Sequence, residues 1–336
     1  TNKYSGAENV AITIINNVNK NEKFKCFYMS PEGEISEVLK KNGIEYIPVK
    51  KISCREIRRI CKKYNPDIIH AHDFRASIKC ALLKKNTLLI FHIHNNPPWI
   101  KKINLNSVSF LLAGLKADKI LTVSNAIGKE YIFFNFIRNK TRCIGNPLER
   151  KKILELVKRI NSEKKYDICC TARISKQKNP MKFLNIIYQV KLIIPEIKAI
   201  WIGDGEMKND MKQKIKELGM ENNIKLLGFK NNPYEYMKKS KIFLLTSDWE
   251  GFGLSAFEAL TLGLPCIVSN VGGLKEIVTN DCGNLFDNDQ KAVENINKML
   301  KDTNLLENKS EEALIRAKQL ENINEYIDNI IRIYEA

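Results

Sequence analysis

Residues 248–260 read DWEGFGLSAFEAL, and this stretch decides the fold of the second half of the chain. The apolar run from Ile242 to Thr246 comes just before it and is typical of a short buried strand. Within the stretch, two glycines form a turn, and a helical pattern follows. The order of strand, acidic residue, glycine turn and helix predicts one β–α unit of a parallel sheet.

The same stretch predicts a binding site. The first backbone N–H groups of a helix have no partner within the helix, so those of Leu254 and Ser255 can hold an anion. Glu250 falls at the end of the strand and Glu258 on the first turns of the helix. Neither carboxylate suits a phosphate, but both can accept hydrogen bonds from hydroxyl groups. Amides for phosphate and carboxylates for hydroxyls together indicate a site for a sugar nucleotide.

Several motifs carry a resemblance to a known family. Glu250 and Glu258, with seven residues between them, resemble the signature of the retaining glycosyltransferase family 4. Further motifs resemble those of the family and follow in its order: 172–179 (ARISKQKN), 203–205 (GDG), 227–229 (LGF) and 272–276 (GGLKE). One departure from the family pattern is mild. Thr171 and Ala172 stand where the family commonly has a glycine before the arginine.

The resemblance implies an α/β protein of the GT-B fold, with two doubly wound Rossmann-like domains facing a cleft. Apolar runs alternate with helical patterns in both halves of the chain, which independently favours doubly wound parallel sheets. We expect residues 1–160 to form an N-terminal acceptor-binding domain and residues 161–320 a C-terminal domain that binds the nucleotide sugar. We expect residues 321–336 to form a helix that crosses back to the N-terminal domain.

The start of the chain differs from the family pattern. A first strand precedes the glycine loop in the resembled family, whereas residues 1–10 read TNKYSGAENV and contain no strand pattern. We therefore expect the first strand to be absent from this chain, which would then be a fragment or begin late. Gly6 opens a helix whose start could face the donor phosphates. A simple N-terminal turn is the alternative.

Length and composition suit a globular protein with two domains. The chain has 336 residues, of which 44% are hydrophobic and 28% charged. Its nine cysteines are odd in number and scattered, which favours reduced thiols in the cytoplasm over disulfides or zinc. We see no apolar run as long as a membrane helix and no signal peptide. The expected location is the cytoplasm, with peripheral binding at the inner face of a bacterial inner membrane.

Positive charge is concentrated in the first half. Residues 1–150 contain 26 Lys and Arg against 12 Asp and Glu, whereas residues 151–336 contain 29 against 26. Nucleic acid, an anionic membrane surface or a phosphorylated acceptor could each explain this excess, as could a solvated basic face. Residues 53–64 place basic side chains on one helical face. Residues 97–114, with Trp99 beside two lysines, could touch lipid headgroups, although a core helix with an exposed start is the commoner outcome.

All four histidines occur in two His-x-His pairs, His70 with His72 and His92 with His94. Alternation along a strand puts both members of a pair on the same face. A zinc site built from all four is imaginable, but no supporting ligand pattern appears and the resembled family needs no metal. The resemblance instead implies that His94, the last residue on its strand, approaches the transferred sugar, with His92 as the weaker candidate.

The resemblance also assigns the residues that bind the phosphates. Breaking a sugar–nucleotide bond leaves a diphosphate whose charge must be stabilised, and no Asp-x-Asp motif for a metal stands at a strand end. Arg173 and Lys178 would supply fixed positive charge instead. Amides at Leu254, Ser255 and Gly6 would assist them. We expect no cofactor and no metal.

The remaining assignments concern the nucleoside and the sugar. Glu258 should accept hydrogen bonds from the ribose hydroxyls, and Glu250 should touch the transferred sugar or lie just behind it. Backbone near Gly228 and Phe229 is the expected contact for the base. The glycine turns at Gly203 and Gly253 complete the expected donor site.

We therefore expect a retaining glycosyltransferase that moves a hexose or an N-acetylhexosamine from a nucleotide sugar, with UDP the first choice of nucleotide. The acceptor would be a glycan or a lipid-diphosphate-linked glycan in capsule, lipopolysaccharide or other bacterial polysaccharide biosynthesis. A sugar-nucleotide epimerase of the same fold is one alternative, and a transferase-like subunit without activity is another. A basic nucleic-acid-binding protein is the third, but the chain lacks a recognition-helix signature.

Overall fold

The computed structural model describes residues 6–84, 86–161 and 163–336. The chain forms two compact units, of which the first comprises Thr1–Pro147 with Asn322–Ala336 and the second comprises Leu148–Glu321. Residues 1–5, which belong to the opening stretch without a strand pattern, lie outside the described residues. The first described element is a helix that begins at Gly6. In the described ranges, no helix is both long enough and apolar enough to span a membrane.

The first unit alternates strands and helices. In chain order its elements are α1 (Gly6–Val18), β1 (Phe27–Pro31), α2 (Ile35–Lys41), β2 (Glu45–Val49), α3 (Cys54–Tyr64), β3 (Ile68–His72), α4 (Asp73–Ala81), β4 (Leu88–Ile93), α5 (Leu105–Lys116), β5 (Lys119–Thr122), α6 (Asn125–Glu130), α7 (Phe134–Ile137) and β6 (Thr141–Cys143). Two 3₁₀ helices lie between these elements: Pro98–Lys101 between β4 and α5, and Arg138–Lys140 between α7 and β6.

These strands form two parallel sheets in the described part of the unit. One has the two strands β1 and β2, and the other has four strands in the order β3-β4-β5-β6. Strand β4 is buried from Leu89 to Ile93 because it lies inside the larger sheet and is covered by helices. Ser53 caps α3 by accepting a hydrogen bond from the backbone N–H of Glu56, which ends the loop before this basic helix.

The second unit continues the alternation. Its elements are α8 (Arg150–Val157), β7 (Tyr166–Thr171), a 3₁₀ helix (Lys176–Lys178), α9 (Pro180–Lys191), β8 (Ala199–Ile202), α10 (Lys208–Glu217), β9 (Ile224–Gly228), α11 (Tyr234–Lys238), β10 (Ser240–Leu245), α12 (Leu254–Thr261), β11 (Cys266–Ser269), α13 (Leu274–Ile277), β12 (Gly283–Phe286), α14 (Asp289–Lys301) and α15 (Thr303–Leu320).

The six strands of this unit form one parallel sheet in the order β12-β11-β10-β7-β8-β9. This is the Rossmann order, because the chain starts in the middle with β7, builds to one edge, and then returns to add β10 on the other side. The apolar residues of β8 and β10 are fully buried, and Trp201 packs edge-on against Phe183 of α9. These two strands contain continuous apolar runs because both faces of the sheet are covered there.

The last helix, α16 (Ile323–Glu335), belongs to the first unit. The ring of Tyr334 lies edge-on to Phe24 with 5.8 Å between centroids, and its hydroxyl lies 2.6 Å from Nδ1 of His70. Glu335 forms an ion pair with Lys23 at 3.1 Å. The apolar face of the helix, including Ile330 and Ile333, is buried.

Three features differ from the sequence-based prediction. The first unit ends at Pro147 rather than at residue 160, because α8 packs on α11 and α12 of the second unit. The short strand Thr141–Cys143, which was not predicted, pairs with β5. Strand β12 was not predicted, since its four residues include a glycine and an asparagine and carry too little apolar pattern to stand out.

Candidate functional site

The candidate site of the second unit lies where its strand order reverses. Strands β7 and β10 are neighbours in the sheet, with Ile168 opposite Ile242, although helices and two other strands separate them along the chain. Ligands of open parallel sheets bind beyond the carboxyl ends of the strands at such a switch point. The loop after β7 contains Arg173 and Lys178, and the loop after β10 contains Glu250.

The two loops are joined by hydrogen bonds. The backbone N–H of Asp248 donates to the carbonyl of Gln177 at 2.9 Å, and the amide of Gln177 donates to the carbonyl of Trp249 at 3.0 Å. Asn179 donates to the carboxylate of Asp248 at 2.9 Å, and Thr246 donates to the carbonyl of Lys178 at 3.0 Å. These contacts hold Lys178 in place before any ligand binds, which is the preorganisation that electrostatic stabilisation requires.

Lys178 and Glu250 form an ion pair at the centre of the joined loops. The ammonium group contacts Oε2 of Glu250, and the same oxygen accepts a hydrogen bond from the hydroxyl of Ser247 at 3.2 Å. Only 17% of the Lys178 side chain and 12% of the Glu250 side chain are exposed. The structure thus brings together two residues predicted separately, and it adds Ser247, which sequence reasoning missed.

Gly253 ends the loop after β10 and is followed by Leu254, the first residue of α12. Its φ of 110° and ψ of 45° are rarely adopted by other residues. A Cβ at this position would lie 2.6 Å from Cδ2 of Leu274. Leu254 and Ser255 are partly exposed at the start of α12, where backbone N–H groups can meet an anion.

The motif at residues 272–276 packs against the loop after β10. The backbone N–H of Gly273 donates to the carbonyl of Glu250 at 3.1 Å. A Cβ on Gly273 would lie 2.5 Å from the carbonyl oxygen of Gly251, so only glycine permits this approach. The motif therefore shapes the backbone around Glu250.

We expect Gly253→Ala to lower the free energy of unfolding by about 1–3 kcal/mol, because alanine would be strained at this φ and would press on Leu274. Urea denaturation followed by tryptophan fluorescence measures this. Gly219→Ala is the matched control, because Gly219 also has a positive φ of 57° but a Cβ there would have no neighbouring heavy atom within 4 Å. Equal losses for both variants would contradict the packing role assigned to Gly253.

Glu258 lies on the second turn of α12 and is partly buried. Burial raises the pKa of its carboxyl to about 7, while the hydrogen bond that the Tyr234 hydroxyl donates to it at 3.1 Å lowers that pKa. Tyr234 begins α11 and is a contact of the site that sequence reasoning missed, since no motif marks it. A carboxyl group in this environment gains from hydroxyl donors that stabilise its ionised form.

Arg173 is more exposed than Lys178, and a nearby glycine shapes the loop that carries it. The Arg173 side chain is 60% exposed, and its guanidinium group pairs with Glu206 at 3.0 Å. The backbone N–H of Gly203 donates to the carbonyl of Gly228 at 2.9 Å, and a Cβ on Gly203 would lie 2.1 Å from the carbonyl oxygen of Ala172. Gly203 therefore lets the loop that carries Arg173 pack closely on β8.

Gly228 and Phe229, the expected base contacts, end β9 and follow it. Gly228 has a φ of 69°, and the Phe229 side chain is 66% exposed. Lys208, which pairs with Asp204, lies near Gly228 and was missed by sequence reasoning. An exposed aromatic ring beside a positive-φ glycine offers a surface on which a flat base could stack.

The first unit contains the other predicted residues. His94 directly follows β4, its Nε2 lies 2.8 Å from Nδ1 of His72, and burial lowers its pKa to about 4. The backbone N–H of His94 donates to Oδ1 of Asp73 at 3.0 Å. Asp73, missed by sequence reasoning, has a φ of 65°, and burial raises its pKa to about 6. Gly6 is exposed at the start of α1.

Two parallel α/β units, the second with the Rossmann strand order, are the architecture of the GT-B fold, and comparison with solved structures supports this fold. Anabaena HepE in complex with UDP and glucose superimposes with a TM-score of 0.85 at 21% identity, covering 100% of this chain and 97% of that one. The predicted GT-B fold is thus confirmed.

Comparison with family models identifies the family. Residues 29–152 match the model of Glycosyltransferase Family 4, and residues 152–318 match that of Glycosyl transferases group 1. The chain belongs to glycosyltransferase family 4.

Two curated relatives align with much of the chain. An uncharacterized glycosyltransferase of Methanocaldococcus jannaschii is 30% identical over 63% of this chain. The N-acetylgalactosamine-N,N'-diacetylbacillosaminyl-diphospho-undecaprenol 4-alpha-N-acetylgalactosaminyltransferase of Campylobacter jejuni is 29% identical over 66% of this chain. The matches span 57% and 62% of the lengths of these relatives.

Proposed function

We propose that this protein transfers a hexose or an N-acetylhexosamine from a UDP-sugar to a lipid-diphosphate-linked glycan, with retention of configuration, in bacterial polysaccharide biosynthesis. The observation that carries the proposal is the partly buried Lys178–Glu250 pair at the switch point of the second unit, next to the start of α12. HepE binds UDP and glucose, which supports the choice of donor. The name of the Campylobacter relative includes a diphospho-undecaprenol acceptor, which supports the choice of acceptor.

In this proposal the second unit holds the donor. The Lys178 ammonium and the N–H groups of Leu254 and Ser255 stabilise the negative charge that grows on the departing diphosphate. Arg173 exchanges its exposed pair with Glu206 for the phosphate, which costs little because exposed ion pairs contribute little. Glu258 accepts hydrogen bonds from the ribose hydroxyls.

The surroundings of Glu250 argue against a covalent intermediate. A double displacement needs a carboxylate that is free to attack the anomeric carbon. Oε2 of Glu250 already faces Lys178 and Ser247, so the carboxylate is better suited to positioning Lys178 and accepting hydrogen bonds from the sugar. We propose that the leaving phosphate takes the proton of the acceptor hydroxyl on the face where the acceptor attacks. His94, neutral at pH 7, is proposed to contact the transferred sugar.

A direct test combines binding and transfer. UDP, GDP and their sugars are first compared by their effect on the melting temperature, and the donor that stabilises most is then incubated with a polyprenyl-diphosphate glycan. We expect a UDP-sugar to stabilise the protein and a product whose anomeric configuration matches the donor by NMR. Consumption of the sugar nucleotide without acceptor would support an epimerase instead. Nanomolar, steeply salt-dependent binding to duplex DNA would support the nucleic-acid alternative.

We expect transfer to be independent of Mg²⁺ and Mn²⁺, because Lys178 and helix N–H groups supply the positive charge that a divalent metal would otherwise provide. Initial rates in metal-depleted buffer should change less than about twofold when either ion is added. An enzyme that is inactive until Mn²⁺ is supplied would contradict this mechanism. Magnesium-free and magnesium-containing reactions with a metal-dependent transferase serve as the assay control.

An exposed apolar stripe on α5 supports a membrane-bound acceptor. The stripe follows helical spacing along one face and consists of Leu105, Val108, Leu112 and Leu115. Leu105 is 87% exposed and Leu112 is 60% exposed. Exposed lysines flank the stripe: Lys101, Lys102 and Lys116. An apolar face with a basic rim is the composition that binds anionic bilayers in the plane of the interface.

The double variant Leu105→Glu with Leu112→Glu is expected to lower binding to vesicles that contain anionic lipid at least about tenfold, because it removes apolar contact and adds negative charge. Vesicle co-sedimentation measures the binding, and purely zwitterionic vesicles are the lipid control. Leu192→Glu is the protein control, since Leu192 is 68% exposed on the second unit, away from the stripe in sequence. Unchanged binding of the double variant would reject α5 as the docking face.

A further inference from the structure

The two His-x-His pairs form one cluster in the first unit. His72 lies directly opposite His92 in the β3–β4 pairing, and His70 and His94 follow on the same face by alternation. The rings of His92 and His94 are 4.2 Å apart between centroids, those of His70 and His72 are 4.6 Å apart, and those of His72 and His92 are 5.3 Å apart. Four imidazoles therefore share one small volume at the carboxyl ends of two strands.

Several nitrogens of this cluster are buried without a partner. His92 is fully buried, and neither of its ring nitrogens has a hydrogen-bond partner among the described residues. Nε2 of His70 is also buried and unpartnered there. A buried polar atom that makes no hydrogen bond costs about 1–3 kcal/mol, so a ligand that satisfied these nitrogens would be bound with a large gain.

The other ring nitrogen of His70 and one ring nitrogen of His72 contact neighbouring side chains. Nδ1 of His70 lies 2.6 Å from the hydroxyl of Tyr334, and Nδ1 of His72 lies 2.8 Å from Nε2 of His94. When each Nδ1 carries the proton, it donates these hydrogen bonds, and each Nε2 presents a lone pair. Metal-binding histidines are oriented in this way, with one ring nitrogen on the metal and the other donating to a neighbour.

We propose that His70, His72 and His92 form a binding site for one zinc ion. One ring nitrogen from each of the three lies within 4.8 Å of the others. Tetrahedral zinc with Zn–N bonds of about 2.0–2.1 Å places its nitrogens about 3.4 Å apart, so binding requires the three side chains to close around the ion. Borderline imidazole ligands suit Zn²⁺, and Co²⁺ can replace it as a spectroscopic probe.

This zinc would join the ends of β3 and β4 and, through His72, position the ring of His94. Its ligands belong to the first unit and the diphosphate-binding residues to the second, so the site is consistent with transfer that does not depend on Mg²⁺ or Mn²⁺. The proposal does not rest on the proposed function, because zinc binding is measured without a sugar nucleotide.

The test uses the full chain without a histidine tag, stripped of metal by a chelator and titrated with Zn²⁺ against a chromophoric competitor. We expect one zinc per chain, an affinity at least about a hundredfold lower in His70→Gln and in His92→Gln, and about tenfold lower in Tyr334→Phe. Cys143→Ser is the control, since Cys143 is exposed and lies outside the histidine cluster, so its loss should leave zinc affinity unchanged. Circular dichroism verifies that each variant is folded.

X-ray absorption of the zinc-loaded wild-type protein keeps the proposal testable if a variant does not fold. We expect nitrogen ligands with imidazole scattering, and visible bands of tetrahedral Co²⁺ without thiolate charge transfer. Three results would each overturn the proposal: no stoichiometric zinc in the wild type, sulfur ligands in the absorption spectrum, or unchanged affinity in both folded histidine variants.

Discussion

Lys178→Ala is expected to lower the turnover of sugar transfer at least about tenfold, which corresponds to more than about 1.4 kcal/mol in the activation free energy. The ammonium group is held by Glu250 and by the joined loops after β7 and β10, so its charge is in place when the diphosphate departs. Because that charge acts mainly on the transition state, kcat should fall more than KM rises. Initial-rate measurements with a saturating acceptor test this.

Two controls separate catalysis from folding. Lys176→Ala removes an exposed lysine from the same 3₁₀ helix and should leave turnover within about twofold. Lys178→Ala also leaves the carboxylate of Glu250 without its cation, and breaking a partly buried pair in this way is destabilising. The double variant Lys178→Met with Glu250→Gln removes both charges, so it should regain stability but not activity. Recovery of turnover in the double variant would show that Lys178 acts through folding alone.

Glu258→Ala is the second change with a large expected effect, again at least about a tenfold loss of turnover. The ribose hydroxyls lose their acceptor in this variant, and the hydrogen bond from the Tyr234 hydroxyl to Glu258 is lost. Calorimetry with the intact nucleotide sugar should reveal weaker donor binding as well. Glu196→Gln, an exposed substitution in the turn after α9, is the control and should leave both quantities unchanged. A folded Glu258→Ala enzyme with normal turnover would reject the donor site proposed for this unit.

The same carboxyl predicts a pH dependence with a definite sign. Burial raises the pKa of Glu258 to about 7, so the group is mostly protonated below that pH. Hydroxyl donors favour the ionised form, so donor affinity should rise as pH increases through about 7 and then level off. The dependence should disappear in Glu258→Gln. A nucleotide sugar suits this measurement better than free UDP, because its diphosphate is a diester with no ionisation near pH 6.

Local sequence pattern determined much of the fold. The apolar run from Ile242 to Thr246 predicted β10, which spans Ser240–Leu245, because a parallel strand that is buried on both faces needs a continuous apolar run whatever its neighbours are. The order of the motifs predicted the GT-B fold. Strand β12 and the end of the first unit escaped prediction because pairing and helix docking decide them, and neither leaves a local pattern.

For the site, the sequence by itself predicted which residues would bind the donor: Lys178, Glu250, Gly253 and Glu258 lie in motifs that resemble those of the family. Only the tertiary structure decided how these residues are arranged relative to one another. Lys178 and Glu250 are 72 residues apart and meet because β7 and β10 are neighbours in the sheet. The Tyr234 contact with Glu258, the exposed stripe of α5 and the joining of the two histidine pairs likewise depend on long-range packing. The spacing of residue types along the chain predicts which face of a single helix or strand is buried. Which distant elements become neighbours is instead set by the free energy of the whole packed unit.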